Sequence, residues 1–477
     1  MKEDLLYNIT ALFNYCFNEL PLNICQLPSS GSSRIYFRVI SAKHKVLAAY
    51  NTDKKENAAF LSFTRHFEKY KLPVPKIFCE DKVHDLYLLE DLGDETLFFN
   101  LERHRDEGFS QNTRTLYKNV LDHLLRFQLD ASGDLDYSVC YPRNAFDKQS
   151  MMWDLNYFKY YFLKLAQIGF DEQKLEDDFN VFTDYLLTAG SDHFMYRDFQ
   201  SRNIMIFDEK LYFIDYQGGR KGALQYDVAS LLYDAKADIP QQVREDLLEY
   251  YIEELSKRVS VNKSEFITHY YGFVLIRIMQ AMGAYGFRGY YEKKLHFLKS
   301  IPYAVANLRW IIENITLPVK TDALSDVFRQ IVEAGHLNKY AYEKPEKLTV
   351  YINSFSFKKG YPADLSGHGG GFVFDCRALP NPGRYDEFKD LNGKDRPVIE
   401  YLEIKHETEI FFENVSRLIE HSLENYLARG FSGLTVSFGC TGGQHRSVYF
   451  AERLAKFVKK SFDVEIVLNH NEQKSVP

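Results

Sequence analysis

Three polar side chains at fixed intervals, Asp198, Asn203 and Asp215, form the set that phosphoryl transfer to a hydroxyl requires. That reaction is mostly positioning and charge neutralisation, so it needs one carboxylate to orient the acceptor and oxygen ligands to hold Mg2+ against nucleotide phosphates. Asp198 suits the first task. Asn203 offers an amide oxygen, and Asp215 offers a carboxylate at the end of an apolar β-run; both suit Mg2+, a hard ion that prefers octahedral oxygen ligation. Taken singly, such residues usually shape turns and cap helices. The ordered set, in a loop flanked by strands, is what points to chemistry. Arg197 and Asp227 are read as supports of this loop.

A second group of anion donors lies at Cys440-Thr441-Gly442-Gly443-Gln444-His445-Arg446-Ser447, between a strand and an amphipathic helix that starts at Arg446. Unpaired N–H groups and the helix dipole at such a joint favour a phosphate. Thr441 adds a hydroxyl, Arg446 a bidentate guanidinium, and His445 a hydrogen bond or a proton. The spacing from Cys440 to Arg446-Ser447 also fits the loop of cysteine phosphatases, whose thiolate attacks phosphorus. No separate acid loop is recognisable.

The elements that must hold these residues follow from periodicity. Residues 1–25 have helical spacing, and the Pro28-Ser29-Ser30-Gly31-Ser32-Ser33 cluster ends it. Strands are predicted at 34–40, 45–50 and 85–90, with a helix at 56–70. This order of turn, hairpin, helix and strand suits a small nucleotide-clamping lobe, with Gly31, Ser32, Ser33, Arg34 and Glu90 assigned to ATP. Ala48 and Ala49 occupy the middle of strand 45–50, where many kinases place a phosphate-contacting lysine. Arg34, Lys43 and Lys45 are the cations nearby.

Helical patterns fill 112–187, short strands are predicted at 203–207 and 211–214, and helices resume through residue 310. Further strands are predicted at 348–357, 371–376, 433–440 and 464–470, with helices at 398–427 and 447–462. Strand–helix alternation there favours a small α/β domain. The predicted division is a first domain at 1–322 (small lobe about 1–92, large lobe about 93–322), a helical linker at 323–347 with its helix at 324–334, and a second domain at 348–477.

A chain of 477 residues is too long for one core. Its net charge of −7 argues against a broadly nucleic-acid-coating surface, which makes RNA binding the minority reading. The six cysteines are scattered, without metal spacing, and are expected to be reduced thiols. No secretory leader or membrane-spanning run is recognisable, so a cytoplasmic protein without a membrane partner is expected.

Tyr196-Arg197-Asp198-Phe199-Gln200-Ser201-Arg202-Asn203 and Ile214-Asp215-Tyr216-Gln217 resemble the catalytic and metal motifs of the aminoglycoside phosphotransferase-like kinase superfamily. The likeness runs over about 25–315 and takes in Gly31-Ser32-Ser33-Arg34, Leu89-Glu90-Asp91-Leu92-Gly93-Asp94, Tyr226-Asp227-Val228-Ala229-Ser230-Leu231-Leu232 and Ile278-Met279-Gln280-Ala281-Met282-Gly283-Ala284-Tyr285. Within the superfamily the chain looks most like amino-sugar kinases of the AmgK type, which share the absence of the small-lobe lysine. The resemblance implies an α+β bilobal protein-kinase-like domain, ATP and Mg2+ as cofactors, and an amino sugar such as N-acetylmuramate or N-acetylglucosamine as acceptor at its anomeric hydroxyl. Tyr196 stands where the superfamily usually has histidine.

From about 348 to 470 the chain resembles the C-terminal domain of RapZ. The matching stretches are Ser354-Phe355-Ser356-Phe357-Lys358-Lys359-Gly360-Tyr361-Pro362, Phe372-Val373-Phe374-Asp375-Cys376-Arg377, Leu379-Pro380-Asn381-Pro382 and 439–448. This resemblance implies a small α/β domain that binds a hexosamine phosphate through Arg377, Thr441, Gly442, Gly443, His445 and Arg446. RapZ also serves as a platform for RNA and a ribonuclease, but no Gly-x-x-x-x-Gly-Lys-Ser/Thr motif of its nucleotide-binding P-loop occurs here, and the basic residues expected for RNA contact are thin over 471–477. Three readings follow: an amino-sugar kinase with a hexosamine-phosphate sensor, a non-catalytic adapter, or a kinase joined to a Cys440-dependent phosphatase.

Overall fold

The computed structural model describes residues 2–28, 34–105, 108–340, 347–362, 371–428 and 431–473. The chain separates into two units, residues 1–287 with 300–339, and 288–299 with 340–477. The predicted turn residues Gly31, Ser32 and Ser33 lie outside the described residues.

Short β-runs near the N-terminus build a five-stranded antiparallel sheet from β1 (Asn23–Gln26), β2 (Ile35–Ile40), β3 (Lys45–Tyr50), β4 (Ile77–Asp81) and β5 (Leu86–Glu90), in the order β1-β2-β3-β5-β4. Helix α1 (Lys2–Phe17) places Ile9, Leu12 and Phe13 on one stripe, and these pack with Phe37, Val39, Val46, Ala48, Leu86 and Leu88. Helix α2 (Lys54–Lys69) starts where the Asp53 carboxylate accepts the N–H groups of Lys55 and Glu56, and it buries Phe60, Phe63 and Phe67.

Two expectations need correction. Residues 1–25 are not one helical stretch: Asn18 turns into the left-handed region (φ 53°) and 23–26 pair with β2. The cysteines are not all thiols either, because α1 lies against β4 and brings Cys16 and Cys79 to 6.1 Å between Cα atoms, where they form a disulfide. Cys25, Cys140, Cys376 and Cys440 are free.

The rest of the first unit is mainly helical. Helix α3 (Lys148–Tyr157) packs against Glu172–Leu187, and the ribbons of β6 (His193–Met195), β7 (Ile204–Phe207), β8 (Lys210–Phe213) and β9 (Arg220–Gly222) follow. β6 pairs with β9 and β7 with β8, both antiparallel. Helix α4 (Leu224–Leu232) and the long α5 (Lys263–Tyr285) are buried along most of their length. The helix predicted at 324–334 runs over Asp322–Glu333 and packs on Ile301–Asn314 within this unit.

In the second unit, β10 (Thr349–Ser356), β11 (Phe372–Asp375), β12 (Gly433–Cys440) and β13 (Glu465–His470) form a wholly parallel sheet in the order β11-β12-β10-β13. Parallel central strands are covered on both faces, and β12 is buried at every position. Helix α6 (Arg446–Ser461) lays Phe450, Leu454 and Val458 onto Val350, Ile352, Val436 and Phe438.

Candidate active site

The loop joining β6 to β7 is held open by its neighbours rather than by regular structure. Asp227, in the first turn of α4, is wholly buried and accepts the backbone N–H of Tyr196 (2.7 Å) and of Arg197 (3.0 Å). Arg197 takes φ 83°, a strained conformation for a residue with a side chain. Its guanidinium pays for this by forking onto both oxygens of Asp154 on α3 (2.7 Å each) and donating to the Tyr226 hydroxyl (2.7 Å). Asp198 is therefore turned outward, with its side chain 37% exposed. Tyr196 is buried, and its hydroxyl donates to the Ile214 carbonyl (2.6 Å), which ties the loop to the segment just before Asp215. This packing role accounts for tyrosine where the resemblance leads one to expect histidine.

Burial pushes the Asp227 carboxyl from 3.8 up to about 7, against the pull of its two backbone donors. The folded pKa lies above the unfolded one, so the folded state keeps a proton that the unfolded chain has already released. The stabilisation is complete below the unfolded value and is lost as pH rises through about 7. Thermal midpoints between about pH 4.5 and 8 should fall with pH in the parent protein and fall less steeply in Asp227→Asn. Equal slopes would show that Asp227 is not the group that titrates.

The structure brings Asp198, Asn203 and Asp215 together. Asn203 Nδ2 donates to the Asp198 carbonyl (2.9 Å) and to Asp215 Oδ2 (3.3 Å). Asp215 has left-handed backbone (φ 70°, ψ 31°), and its carboxylate is solvent-accessible although the segment itself lies deep in the fold. Loss of surrounding water, and then the nearby Asp198 charge, push its pKa up. A carboxylate crowded by another carboxylate and joined to an amide is a donor set that a hard divalent cation would relieve, so these residues fit Mg2+.

Two further residues, which sequence reasoning missed, extend the cluster. Gln217 Nε2 donates to Asp215 Oδ1 (2.6 Å) and to Glu56 Oε1 on α2 (3.2 Å). Glu56 also pairs with Arg34 (3.0 Å), whose side chain is only 2% exposed, and accepts from Asn51 (2.8 Å). Lys43 pairs instead with Glu19 and Lys45 with Asp91, so Arg34 is the one of the three candidate cations joined to α2. The sequence signal for Glu56 was its place in the first turn after the hairpin, and Gln217 stood inside the metal motif without an assigned role. Glu90 closes β5, where its carboxylate accepts the Lys76 N–H (3.2 Å). Asp94, at the end of the Leu89–Asp94 stretch, is exposed and pairs with Arg38 (2.9 Å).

In the second unit, the loop after β12 is braced from within. The Gly443 N–H donates to Cys440 Sγ (3.2 Å), the Ser447 hydroxyl lies 3.2 Å from the same sulfur, and Ser356 donates to the Thr441 carbonyl (2.7 Å). Gly443 has φ 71°, and a Cβ there would meet the Glu472 side chain at 2.3 Å. His445 Nε2 is 2.8 Å from the Phe388 carbonyl. Arg446, expected to present its guanidinium to an anion, is buried and donates Nη1 to the carbonyls of Arg377 and Leu379 (2.9 Å each). The Arg377 guanidinium lies over the Phe357 ring and pairs with Asp375 (2.7 Å). Thr441 and Gly442 are exposed.

Residues 23–259 match the phosphotransferase enzyme family, and residues 348–474 match the RapZ C-terminal domain. The chain carries both domains. The sheet-rich small lobe and helical large lobe make the phosphotransferase domain kinase-like, and the parallel α/β unit contains the RapZ C-terminal domain. The chain is 44% identical over 141 residues to a nucleotide-binding protein of Polynucleobacter necessarius, a match covering 28% of this chain and 46% of that protein. It is 38% identical over 133 residues to a nucleotide-binding protein of Staphylococcus epidermidis, covering 28% and 42%. It thus spans less than half the length of these curated relatives. Among solved structures it is similar to choline kinase LicA from Streptococcus pneumoniae (14% identity, TM-score 0.41, 69% of this chain and 98% of that one). It is also similar to an ethanolamine kinase of Plasmodium vivax (13%, TM-score 0.44, 60% and 81%). No helix among the described residues is long and apolar enough to cross a membrane.

Proposed function

We propose that the phosphotransferase domain is an ATP- and Mg2+-dependent amino-sugar kinase, and that the RapZ C-terminal domain binds a hexosamine phosphate. The observation that carries the kinase reading is the joined set of Asp198, Asn203 and Asp215, continued through Gln217 to the Glu56–Arg34 pair. Asp198 orients the acceptor hydroxyl and receives its proton. Asn203 and Asp215 would hold Mg2+, which when bound would supply charge neutralisation on the nucleotide phosphates. Arg34 carries the small-lobe positive charge and, by its field, pulls the Asp215 pKa down against burial and Asp198. Arg197 and Asp227 keep the loop in its strained shape. Gly31, Ser32, Ser33 and Glu90 are assigned to ATP through the sequence resemblance.

The amino-sugar acceptor rests on the likeness of the first domain to amino-sugar kinases and on its fusion to a domain of RapZ type. In the second domain we assign Thr441, Gly442 and Gly443 to the phosphate and Arg377, His445 and Arg446 to the walls that fix the loop. The Cys440 thiol is buried, and Arg446, which thiolate attack would need facing the phosphoryl group, instead donates to the Arg377 and Leu379 carbonyls, which favours this sensing role.

The test is incubation with Mg2+–ATP and a panel of N-acetylmuramate, N-acetylglucosamine, glucosamine, neutral hexoses and aminoglycosides, with the product's phosphate position read by NMR. An anomeric phosphate on an N-acetylated amino sugar is expected. Turnover of aminoglycosides alone, or of none of the panel, overturns the acceptor assignment. Glucosamine 6-phosphate titrated into the same assay should alter substrate affinity if its binding is coupled to the kinase, and by linkage the substrate should alter its affinity in return.

A further inference from the structure

We infer that Arg277 is a positioning residue for the Asp198 carboxylate, an inference that rests on reading Asp198 as the acceptor-orienting group. Arg277 projects from α5, outside the span that matches the phosphotransferase family, and is only 6% exposed. Its Nη1 donates to Gln280 Oε1 (2.6 Å), approaches the Tyr226 hydroxyl (3.4 Å) and stands 3.9 Å from Asp198 Oδ1. Its Nε is buried without a hydrogen-bond partner.

A buried guanidinium with an unpaired N–H is costly, and packing alone would be served better by an apolar side chain. Two carboxylates feel its charge: Asp227, which already accepts two backbone N–H groups, and Asp198. Arg197 shares the Tyr226 hydroxyl with Arg277, but its own charge is matched by the two oxygens of Asp154. Arg277 has no such carboxylate fork. Among the described residues it is the cation within 4.0 Å of Asp198. The separation is too long for a hydrogen bond, so the attraction is electrostatic and favours one rotamer of the carboxylate. Oδ1 faces the guanidinium, which leaves Oδ2 for the acceptor hydroxyl. Gln280, one turn further along α5, accepts from Nη1 and fixes the guanidinium on the Asp198 side of Tyr226.

The test compares Arg277→Met, Arg277→Lys, Asp198→Asn and the Arg277→Met/Asp198→Asn double variant, with Mg2+–ATP and either N-acetylglucosamine or N-acetylmuramate as acceptor. Arg277→Met should lower kcat about 100-fold while the KM for ATP and the stabilisation by Mg2+–ADP change less than about 2-fold. Arg277→Lys, which keeps the charge, should recover at least about 10-fold of that loss. The double variant should be no slower than Asp198→Asn alone, because the arginine acts through the carboxylate. Multiplying losses in the double variant, or a loss confined to acceptor KM, overturns the positioning role. Should Arg277→Met fail to fold, Arg277→Lys alone and combined with Asp198→Asn reads the same coupling. An Asp198→Asn variant that turned over normally would instead remove the catalytic reading itself.

Discussion

Replacing Asp198 with asparagine is expected to lower kcat about 1,000-fold while leaving the fold and nucleotide affinity nearly untouched. The amide keeps the volume of the carboxylate and can still accept a hydrogen bond from an acceptor hydroxyl. It cannot take up the hydroxyl proton as oxygen bonds to phosphorus. The fold should tolerate the change because the loop is fixed through its main chain. Asp227 holds the N–H groups of Tyr196 and Arg197, and Asn203 holds the Asp198 carbonyl rather than its side chain. Steady-state kinetics with a Mg2+–ADP melting shift separate the two properties. A variant with parental kcat refutes the role of Asp198, and one that loses the ADP shift as well shows that the side chain organises the nucleotide site instead.

The second large effect is expected at Asp215. Asp215→Asn should reduce kcat/KM for ATP at least about 100-fold and remove most of the Mg2+-dependent part of nucleotide stabilisation, which for a ligand at 100 times its Kd is about 2.7 kcal/mol. In the absence of metal the sign reverses. The protein packed around the segment and the Asp198 charge both oppose ionisation of Asp215, accessible though its carboxylate is, so a neutral amide should leave the apo protein as stable as the parent or more so. Asparagine is the informative replacement because it tolerates left-handed backbone, whereas alanine at φ 70° adds strain of about 1 kcal/mol that would blur the comparison. Melting curves with ADP alone, Mg2+ alone and both decide the matter. An unchanged Mg2+–ADP shift would exclude Asp215 as a metal ligand.

What the sequence disclosed depended on how local each cause was. The 45–50 strand and the 433–440 strand have the predicted bounds because apolar residues and turn signals mark both ends. The close approach of Asp198, Asn203 and Asp215 was legible because it follows from one loop between short strands. Partners from distant elements were not. Asp154 and Arg277 are single charged residues within long helical patterns, and their meaning depends on α3 and α5 flanking the loop. The disulfide shows the same limitation, since Cys16 and Cys79 are 63 positions apart and meet only because α1 lies on β4. β6 and β9, at three residues each, are too short to display alternation. Arg446 was misread for a related reason: its chemistry suits an anion, but the carbonyls that occupy it belong to a turn after another strand.

The Tyr216 ring lies 5.4 Å from that of Phe60 with 3° between planes, and its hydroxyl is 2.5 Å from that of Thr64, both of these residues being on α2. With Gln217 bonded to Glu56 two turns earlier, α2 is fastened to the Asp215 segment along one side. On its other side the same Phe60 ring stacks on Tyr87 of β5 (5.4 Å) and Arg65 pairs with Glu80 of β4 (3.0 Å), so this one helix ties the Asp215 segment to the sheet. A change that displaces α2 would therefore reach the proposed metal-binding carboxylate and the sheet together, although no residue of that helix touches either Asp198 or Asn203 through a hydrogen bond described above.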